Sequence, residues 1–502
     1  MLSKSKFILG QQCKKALWFD VQGHEPTNPA DESAIERLRA GNEVGEFAKK
    51  IFPNGVDIEY LPNKSGFQKM CDLTTSAIES GATTIYEASF IQDGIFIRVD
   101  IMNLTSEGWN IYEVKSSSRV RSYHKEDASL QWHVLKKVKG LALNDAFVIF
   151  LNSAYLRKGD VNVDVDNLFE YQTPLTDFVE SNQGKIRSEI QAIKLAATSD
   201  IVPAVNIGTQ CKKPHACQYL DKCWPEKTNN LDSIFRLYRL NFDKKLAFYN
   251  DGIGSFKKIT PNIKLSTTQK NQIKAYETKE PIIDTSKINT FISSVKYPIS
   301  YFDFETFTDA VPLYDGQRPH MQMPFQYSLH VQESMEDDLS SSDRHFEFIG
   351  NIEEDPRRAI AERMLKDIPK SGSIIAYNQS FEKNCIKSLA SHCPDISSEL
   401  LRLNERFVDL IDPFRGGGYY DHRFGGSFSI KSVLPALCPN NGKLDYKKLD
   451  INNGAMASNA YKNMRNQSNE QRTLTREMLF KYCWLDTYAM YAIYTKLLEL
   501  TK

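Results

Sequence analysis

Glu87, Asp100, Glu113, Lys115 and Gln131 fall within one stretch, residues 81–131. The run Ile95–Met102 alternates apolar and polar residues, and Asp93-Gly94 before it is a turn pair, so the pattern predicts a β-hairpin. Asp100 and Glu113 then lie on neighbouring strands. Lys115, two residues after Glu113, shares its face because side chains alternate along a strand. Two carboxylates can hold a hard divalent cation, and a lysine beside them can orient a water or stabilise charge on a phosphate. Acids and a lysine on strands are more often a solvated sheet face. What sets this group apart is its company: Glu87 upstream, Gln131 downstream on a helical run, and cysteines on either side.

A second acidic group lies in residues 297–307, where Asp303 and Glu305 alternate with aromatic residues. Both acids therefore point to one face of a strand expected to be buried. Burying two like charges is costly unless a cation compensates them. Near the end of the chain Tyr482 and Asp486 are four residues apart and share a helix face. Cys211, Cys217 and Cys223 are spaced at intervals of six positions, and the distant Cys13 makes four thiolates, a set that suits either zinc or an iron–sulfur cluster. Cys71, Cys385, Cys393, Cys438 and Cys483 lack such spacing and read as core thiols.

The elements that must position these groups are legible in outline. Ile35, Leu38, Val44, Phe47, Ala48 and Ile51 recur at helical spacing, and Pro53-Asn54-Gly55 ends that helix. Gly41 and Gly45 within it suggest close backbone packing or a break. Glu43 and Glu46 are either further metal-facing acids or surface glutamates. Residues 116–125, with Arg119, Arg121, His124 and Lys125, form a basic loop suited to a nucleic-acid backbone. Residues 228–297 read as a linking module whose first helix ends at Asn250-Asp251-Gly252, a turn that can offer backbone N–H groups to a phosphate. Beyond it come two strands around a polar tip at 335–343, a helix, a strand running through Asn378 into a helix with Phe381 and Glu382, a segment with Asp409, and a long final helix.

A chain of 502 residues implies two or three domains. Its 63 basic and 63 acidic residues cancel, which argues against general coating of nucleic acid but leaves room for a local groove. No apolar run reaches the ~18 residues of a membrane span. The first residues lack the apolar core of a signal peptide, and nine cysteines form an odd set. The expectation is a cytoplasmic protein with reduced thiols and no membrane association.

One cysteine, then Glu87, Asp100, Glu113-Val114-Lys115 and Gln131, then three cysteines: this order resembles the iron–sulfur RecB-type nucleases of the PD-(D/E)xK superfamily, including the AddB nuclease domain and CRISPR-adaptation exonucleases. The resemblance covers about residues 1–228 and implies a restriction-endonuclease-like fold. It implies Asp100 and Glu113 as metal ligands, Lys115 as the catalytic lysine, Gln131 in the motif that follows, and Glu87 as an upstream acid. Cys13, Cys211, Cys217 and Cys223 would hold a 4Fe–4S cluster, with zinc as the alternative. Many relatives carry a histidine in a G-x-x-x-H helical motif. Here Gly41 and Gly45-Glu46 stand there, so either Glu46 or Glu43 substitutes or the protein supplies fewer ligands.

The motifs Phe-Asp-Phe-Glu-Thr, Ala-Tyr-Asn-Gln-Ser-Phe-Glu and Tyr-Cys-Trp-Leu-Asp, in that order, resemble the ribonuclease H-like fold of DnaQ-type DEDD exonucleases over residues 298–502. The resemblance implies that Asp303, Glu305 and Asp486 bind two divalent ions while Tyr482 positions the attacking water. Glu382 stands where an aspartate is usual, and Asp409 is an alternative fourth acid. The whole chain is similar to bacterial proteins that fuse these two modules. The expectation is therefore an α/β multidomain protein with a nuclease domain at 1–228, a helical connector at 229–297 and an exonuclease domain at 298–502. It would be a Mg²⁺- or Mn²⁺-dependent DNA nuclease acting on single strands or free ends, in repair or defence against foreign DNA. The alternatives are an RNA-processing exonuclease, or a nucleic-acid-binding scaffold with one inactive domain. Protein partners are not legible.

Overall fold

Asp93 and Gly94 both have positive φ, 50° and 70°, the left-handed pair that joins two strands by a tight hairpin. The computed structural model describes residues 1–28, 31–159, 163–224, 230–339, 344–439 and 442–502, and around that turn lies a seven-stranded sheet. Its strands are β1 (Leu2–Ser3), β2 (Val56–Asp57), β3 (Thr84–Gln92), β4 (Ile95–Thr105), β5 (Gly108–Lys115), β6 (Leu143–Leu151) and β7 (Phe169–Glu170). They lie in the order β2-β3-β4-β5-β6-β7, with β1 alongside β4. Strands β3, β4 and β5 run antiparallel. β6 is parallel to β5, so the chain needs a crossover, which the helix Ser122–Leu135 provides.

Phe7, Leu130, Val134, Ile186 and Ile193 from the helices Lys4–Gln12, Ser122–Leu135 and Gln183–Thr198 share one buried cluster with Ile97 and Val99 of β4. Every residue from Asp127 to Leu135 is buried, polar ones included. That helix therefore shows little amphipathic period. A second cluster joins Val44, Ala48, Tyr86, Ile101 and Ile149. The helix Glu32–Lys49 runs unbroken through Gly41 and Gly45, and open space faces both glycines. Neither marks a break or a close backbone contact. With Asp31 capping its start and one apolar flank docked through Val44 and Ala48, the helix tolerates them.

In the second unit β8 (Ile282–Ile283) pairs with β14 (Tyr419–Tyr420). The main sheet contains β9 (Ile299–Phe307), β10 (Met323–Gln332), β11 (His345–Ile349), β12 (Ser373–Ala376) and β13 (Phe407–Asp409), in the order β11-β10-β9-β12-β13. β10 is antiparallel to β9 and β11, whereas β12 is parallel to β9 and β13. The helix Asn469–Glu499, 31 residues long, packs on β9 and β10. Gln326 Nε2 donates to Leu479 O at 2.9 Å, and Thr487 Oγ1 meets both Ser328 Oγ and His330 Nδ1 at 2.8 Å.

The chain divides into Met1–Trp224 with Asp309–Met321, and Pro225–Thr308 with Gln322–Lys502. This differs from the expected 1–228, 229–297 and 298–502. The boundary at 228–229 and part of the expected polar tip, residues 340–343, lie outside the described residues. Residues 230–297 belong to the second unit because β8 pairs with β14 and because the helix Thr267–Thr278 turns buried Gln269 and Gln272 inward. A helix whose inner face is glutamine shows no apolar period, which is why that run read only as polar. Residues 309–321 belong to the first unit because Ala310 and Val311 enter its second cluster. Arg157 Nη1 donates to Pro312 O at 2.8 Å, and Gly159 N donates to Asp315 Oδ1 at 2.6 Å. Among the described residues no helix is long and apolar enough to cross a membrane.

Candidate functional site

Each unit gathers its own acids. In the second, carboxylate oxygens of Asp303, Glu305 and Asp486 lie within 4.8 Å of one another. The first two sit two positions apart on β9, and the third faces them from the long helix. Burial, then the neighbouring carboxylates of Asp486, Glu305 and Glu382, pushes Asp303 well above the usual carboxylate range. Glu305 is pushed up to about 8, by burial first and Asp486 second. Burial raises Asp486 to about 6 although Tyr446, Lys431 and Tyr482 all favour its charged form. Three acids that resist ionisation side by side could hold a divalent cation, which would supply the positive charge they lack.

The surrounding groups hold that centre in place. Tyr446 Oη donates to Asp486 Oδ1 at 2.6 Å. Tyr482 lies within hydrogen-bonding reach of Glu305 and Asp486. Lys431, from the helix Ile430–Leu437, places Nζ 5.0 Å from the centre of the Tyr446 ring and 5.6 Å from that of Tyr482. Glu382, in the first turn of the helix Ser380–His392, is 3% exposed, and its Oε2 is buried with no hydrogen-bond partner. Burial pushes it up to about 8. A buried carboxylate oxygen without a partner wants a proton or a metal. Asp409 has other work. Its Oδ1 accepts from Asn378 N at 2.8 Å and Ile411 N at 3.3 Å, and its Oδ2 accepts from Gln379 N at 3.2 Å. It fixes the turn before the Glu382 helix, where Asn378 has φ +74°, and it is not one of the three converging acids.

A stability signature follows. A carboxyl whose folded pKa is raised holds its proton longer than it would unfolded. Its stabilising contribution is complete below the unfolded value of ~4 and is lost as pH rises through the folded value. For Glu305 and Glu382 that window ends near pH 8. Without metal, thermal stability is expected to fall between about pH 4 and pH 8 on their account. Adding Mg²⁺ or Mn²⁺ at ~100 times the dissociation constant should raise the midpoint by roughly 5–10 °C at pH 8, and by little at pH 5, where protons compete. Differential scanning calorimetry across pH, with and without metal, checks this.

In the first unit the registers Tyr86↔Ile101 and Ile101↔Tyr112 set Glu87, Asp100 and Glu113 side by side on β3, β4 and β5. Glu113 is 3% exposed. Lys115 Nζ donates to Glu113 Oε1 at 2.5 Å and to Asp127 Oδ2 at 2.8 Å, and Gln131 Nε2 donates to Glu113 Oε2. Burial works to raise Glu113, but the ammonium groups of Lys115 and Lys4 hold it well below the usual range. Asp100 goes the other way: burial and the Glu113 charge push it up to about 7, while its Oδ2 accepts from Val114 N at 2.6 Å. Glu87 turns to Arg98, 2.9 Å away, from a left-handed backbone at φ +58°. Arg119 and Arg121 of the basic loop are exposed.

Two members of this centre went unread in the sequence. Lys4 Nζ donates to Glu113 Oε1 at 3.0 Å and Oε2 at 3.1 Å, and lies 3.6 Å from Asp127 Oδ1. Asp127 is 4% exposed. Asp127 had a signal, since it precedes Gln131 by one helical turn on the same face. Lys4 had none, since it comes from 109 positions away. Glu46 does not enter the centre: its side chain is 71% exposed and pairs with Lys49 at 2.8 Å. Glu43 is half-buried on the same helix.

Cys13, Cys211, Cys217 and Cys223 line a single cavity of about 20 Å³, and none is in a disulfide. Cys13 caps the helix Lys4–Gln12, and the other three come from the segment after the helix Gln183–Thr198. Burial raises the thiols of Cys217 and Cys223, and the other thiols of the group add to the effect. Four converging thiols fit a soft metal. A volume of this size holds little more than one water-sized sphere (~10–15 Å³).

A family model described as "Domain of unknown function (DUF2779)" matches residues 300–429, a span that contains Asp303, Glu305, Glu382 and Asp409. Over 285 residues the chain is 27% identical to the "Uncharacterized protein MG366 homolog" of Mycoplasma pneumoniae, a match covering 52% of this chain and 42% of that protein. The chain thus spans less than half the length of that relative. No solved structure matches.

Proposed function

We propose that the chain is a metal-dependent nuclease with two active centres, one in each unit, acting on the phosphodiester bonds of single-stranded DNA. The observation that carries this reading is the convergence of Asp303, Glu305 and Asp486, with the unpartnered Glu382 behind them. In support, the order β11-β10-β9-β12-β13, with three antiparallel strands followed by two parallel ones, is what a ribonuclease H-like DEDD exonuclease implies. Three acids and the Tyr482 hydroxyl arrive from the elements that such an enzyme would use. Bound at the acids, Mg²⁺ or Mn²⁺ would lower the pKa of water and stabilise the departing 3′-oxygen. The protein's part is to bring the carboxylates together for the ion, to orient the attacking water through Tyr482, and to keep Lys431 and Tyr446 beside Asp486.

For the first unit the proposal is a PD-(D/E)xK centre in which Asp100 and Glu113 hold the ion and Lys115 orients the nucleophile. Gln131 and Lys4 fix the Glu113 carboxylate. The support is the register that aligns the acids and the shared contacts of Lys115 and Gln131 with Glu113. At the four cysteines the resemblance favours a 4Fe–4S cluster, with zinc as the alternative. Purified protein is expected to be brown, with visible absorbance that bleaches on oxidation and about four iron atoms per chain. One zinc per chain and no colour would assign the site to zinc.

Matched DNA and RNA oligonucleotides, labelled at the 5′ or the 3′ end and incubated with Mg²⁺ or Mn²⁺, test the whole reading. Loss of label from DNA in preference to RNA is the expected result. Preference for RNA would replace DNA as the substrate. Binding without cleavage of either would leave a nucleic-acid scaffold.

A further inference from the structure

A cavity of about 540 Å³ in the second unit is lined by Tyr238, Arg239, Tyr377, Asn378, Arg415 and Phe428, among others, and no acid lines it. In a chain whose charges cancel, a wall with two guanidinium groups and no carboxylate is a local departure. Both arginines are exposed. Arg415 Nη1 donates to Asn378 Oδ1 at 3.3 Å, and the Arg239 guanidinium lies 5.5 Å from the Tyr238 ring centre. Among the described residues neither forms an ion pair, so both are available to an anion.

The wall is fixed before any ligand arrives. Arg239 has a left-handed backbone, φ +47°, unusual for a residue with a side chain. Two buried glutamines of the helix Thr267–Thr278 hold the turn before it. Gln269 Nε2 donates to Tyr238 O at 2.8 Å, Tyr238 N donates to Gln272 Oε1 at 2.8 Å, and Gln272 Nε2 donates to Arg236 O at 2.9 Å. Opposite, Tyr377 Oη donates to Phe428 O at 2.6 Å, and the Tyr238 ring stands edge-on to Phe428 at 4.7 Å. Backbone strain held by buried side chains is characteristic of ligand clamps. Guanidinium groups beside aromatic rings are the combination that holds a single-stranded nucleic acid, phosphates on the arginines and bases on the rings.

The cavity is tied to the acidic centre by two short runs of chain. Asn378 is four residues before Glu382, and Ile430, also in its lining, is the residue before Lys431. Its volume is that of a small-molecule site, so it admits a nucleotide or two and not a duplex. We infer that this cavity is a subsite for single-stranded polynucleotide, gripping nucleotides next to the one held at Asp303, Glu305 and Asp486. Arg239 and Arg415 contact the phosphodiesters, and Tyr238 offers a face to a base. The inference rests on the reading of those acids as a nuclease centre, and it adds a grip that the acids alone do not provide.

The test measures binding without catalysis, using full-length protein in EDTA. Fluorescein-labelled (dT)12 and (dT)2 are titrated by anisotropy between 50 and 200 mM salt, with wild type and R239Q/R415Q. The expected result is a roughly tenfold weaker grip on (dT)12, a salt dependence shallower by about 1.4 (~0.7 per phosphate contact on a single strand), and a smaller loss for (dT)2, whose single phosphodiester reaches at most one of the two arginines. Circular dichroism and the melting midpoint should match wild type, because both side chains are exposed. Y238A, which keeps both charges, should weaken (dT)12 without altering the salt slope. Unchanged (dT)12 affinity in R239Q/R415Q overturns the subsite, as does equal weakening of (dT)2 and (dT)12. If both variants lose (dT)12 as expected but wild type with Mn²⁺ degrades no strand, the subsite stands and the nuclease reading of the acids fails.

Discussion

Asp303→Asn is expected to slow removal of nucleotides from a 3′ end by on the order of 10³-fold, about 4 kcal/mol of lost transition-state stabilisation. Asparagine keeps the shape of the side chain and removes its capacity to ionise, and with it one proposed ligand of a centre whose three acids lie within 4.8 Å of one another. The same substitution should leave the metal-free protein more stable at pH 8, not less. Asp303 suffers from burial and from the charges of Asp486, Glu305 and Glu382, so deleting one member of a repelling group relieves the rest. The melting midpoint gained on adding Mn²⁺ should shrink in parallel. A variant that is inactive, more stable without metal and less stabilised by it points to a metal ligand. A variant that is inactive and less stable would place Asp303 in the framework instead. Rates from a 3′-labelled strand, read beside calorimetry, separate the two.

Lys115→Ala should produce the opposite pattern in the first unit. Lys115 Nζ bridges Glu113 and Asp127, which are 3% and 4% exposed. Removing one partner of such a buried group strands charge in a poor solvent, at a cost of ~3–5 kcal/mol. Lys4, which contacts the same two acids, offsets part of that loss, so the lower end of the range is expected. Cleavage assigned to this centre should drop by ~10²–10³-fold through loss of an oriented cationic donor. Lys115→Arg should not restore it. A planar guanidinium cannot take the place of a compact ammonium between two carboxylates. Comparison with D303N on strands labelled at each end assigns each polarity to its centre: K115A should spare the 3′ reaction that D303N abolishes. If K115A and D303N affect the same end equally, the two-centre reading fails.

Most of what carries chemistry here was legible because its spacing is local. Asp303 and Glu305 alternate on β9, Glu113 and Lys115 alternate on β5, and Asp93-Gly94 announces the hairpin that sets Glu87 beside Asp100. Period-two and turn signals act within a few residues, and a single sequence displays them directly. What escaped detection depends on distance or on polar interiors. Lys4 reaches Glu113 across 109 positions of sequence. The helix Thr267–Thr278 hides because its buried face is Gln269 and Gln272. The segment 309–321 fell within the expected domain 298–502, because nothing local marks Ala310 and Val311 as parts of another core. Asp409 looked like a spare ligand by type, yet three backbone amides claim its oxygens. Residue type names the chemistry a group can do, and only the surrounding donors decide whether it is free to do it.

The helix Lys4–Gln12 spans nine residues. At its start the Lys4 ammonium rests on Glu113, and directly after its end Cys13 faces the three other thiols. A stiff rod of ~13 Å thus has one end at the four thiols and the other on the Glu113 carboxylate. If the four thiols hold a metal as proposed, oxidation or chelation at Cys13 is expected to loosen the rod that sets Lys4 against Glu113, and the proposed cleavage centre would register the state of the sulfur site through nine residues of backbone.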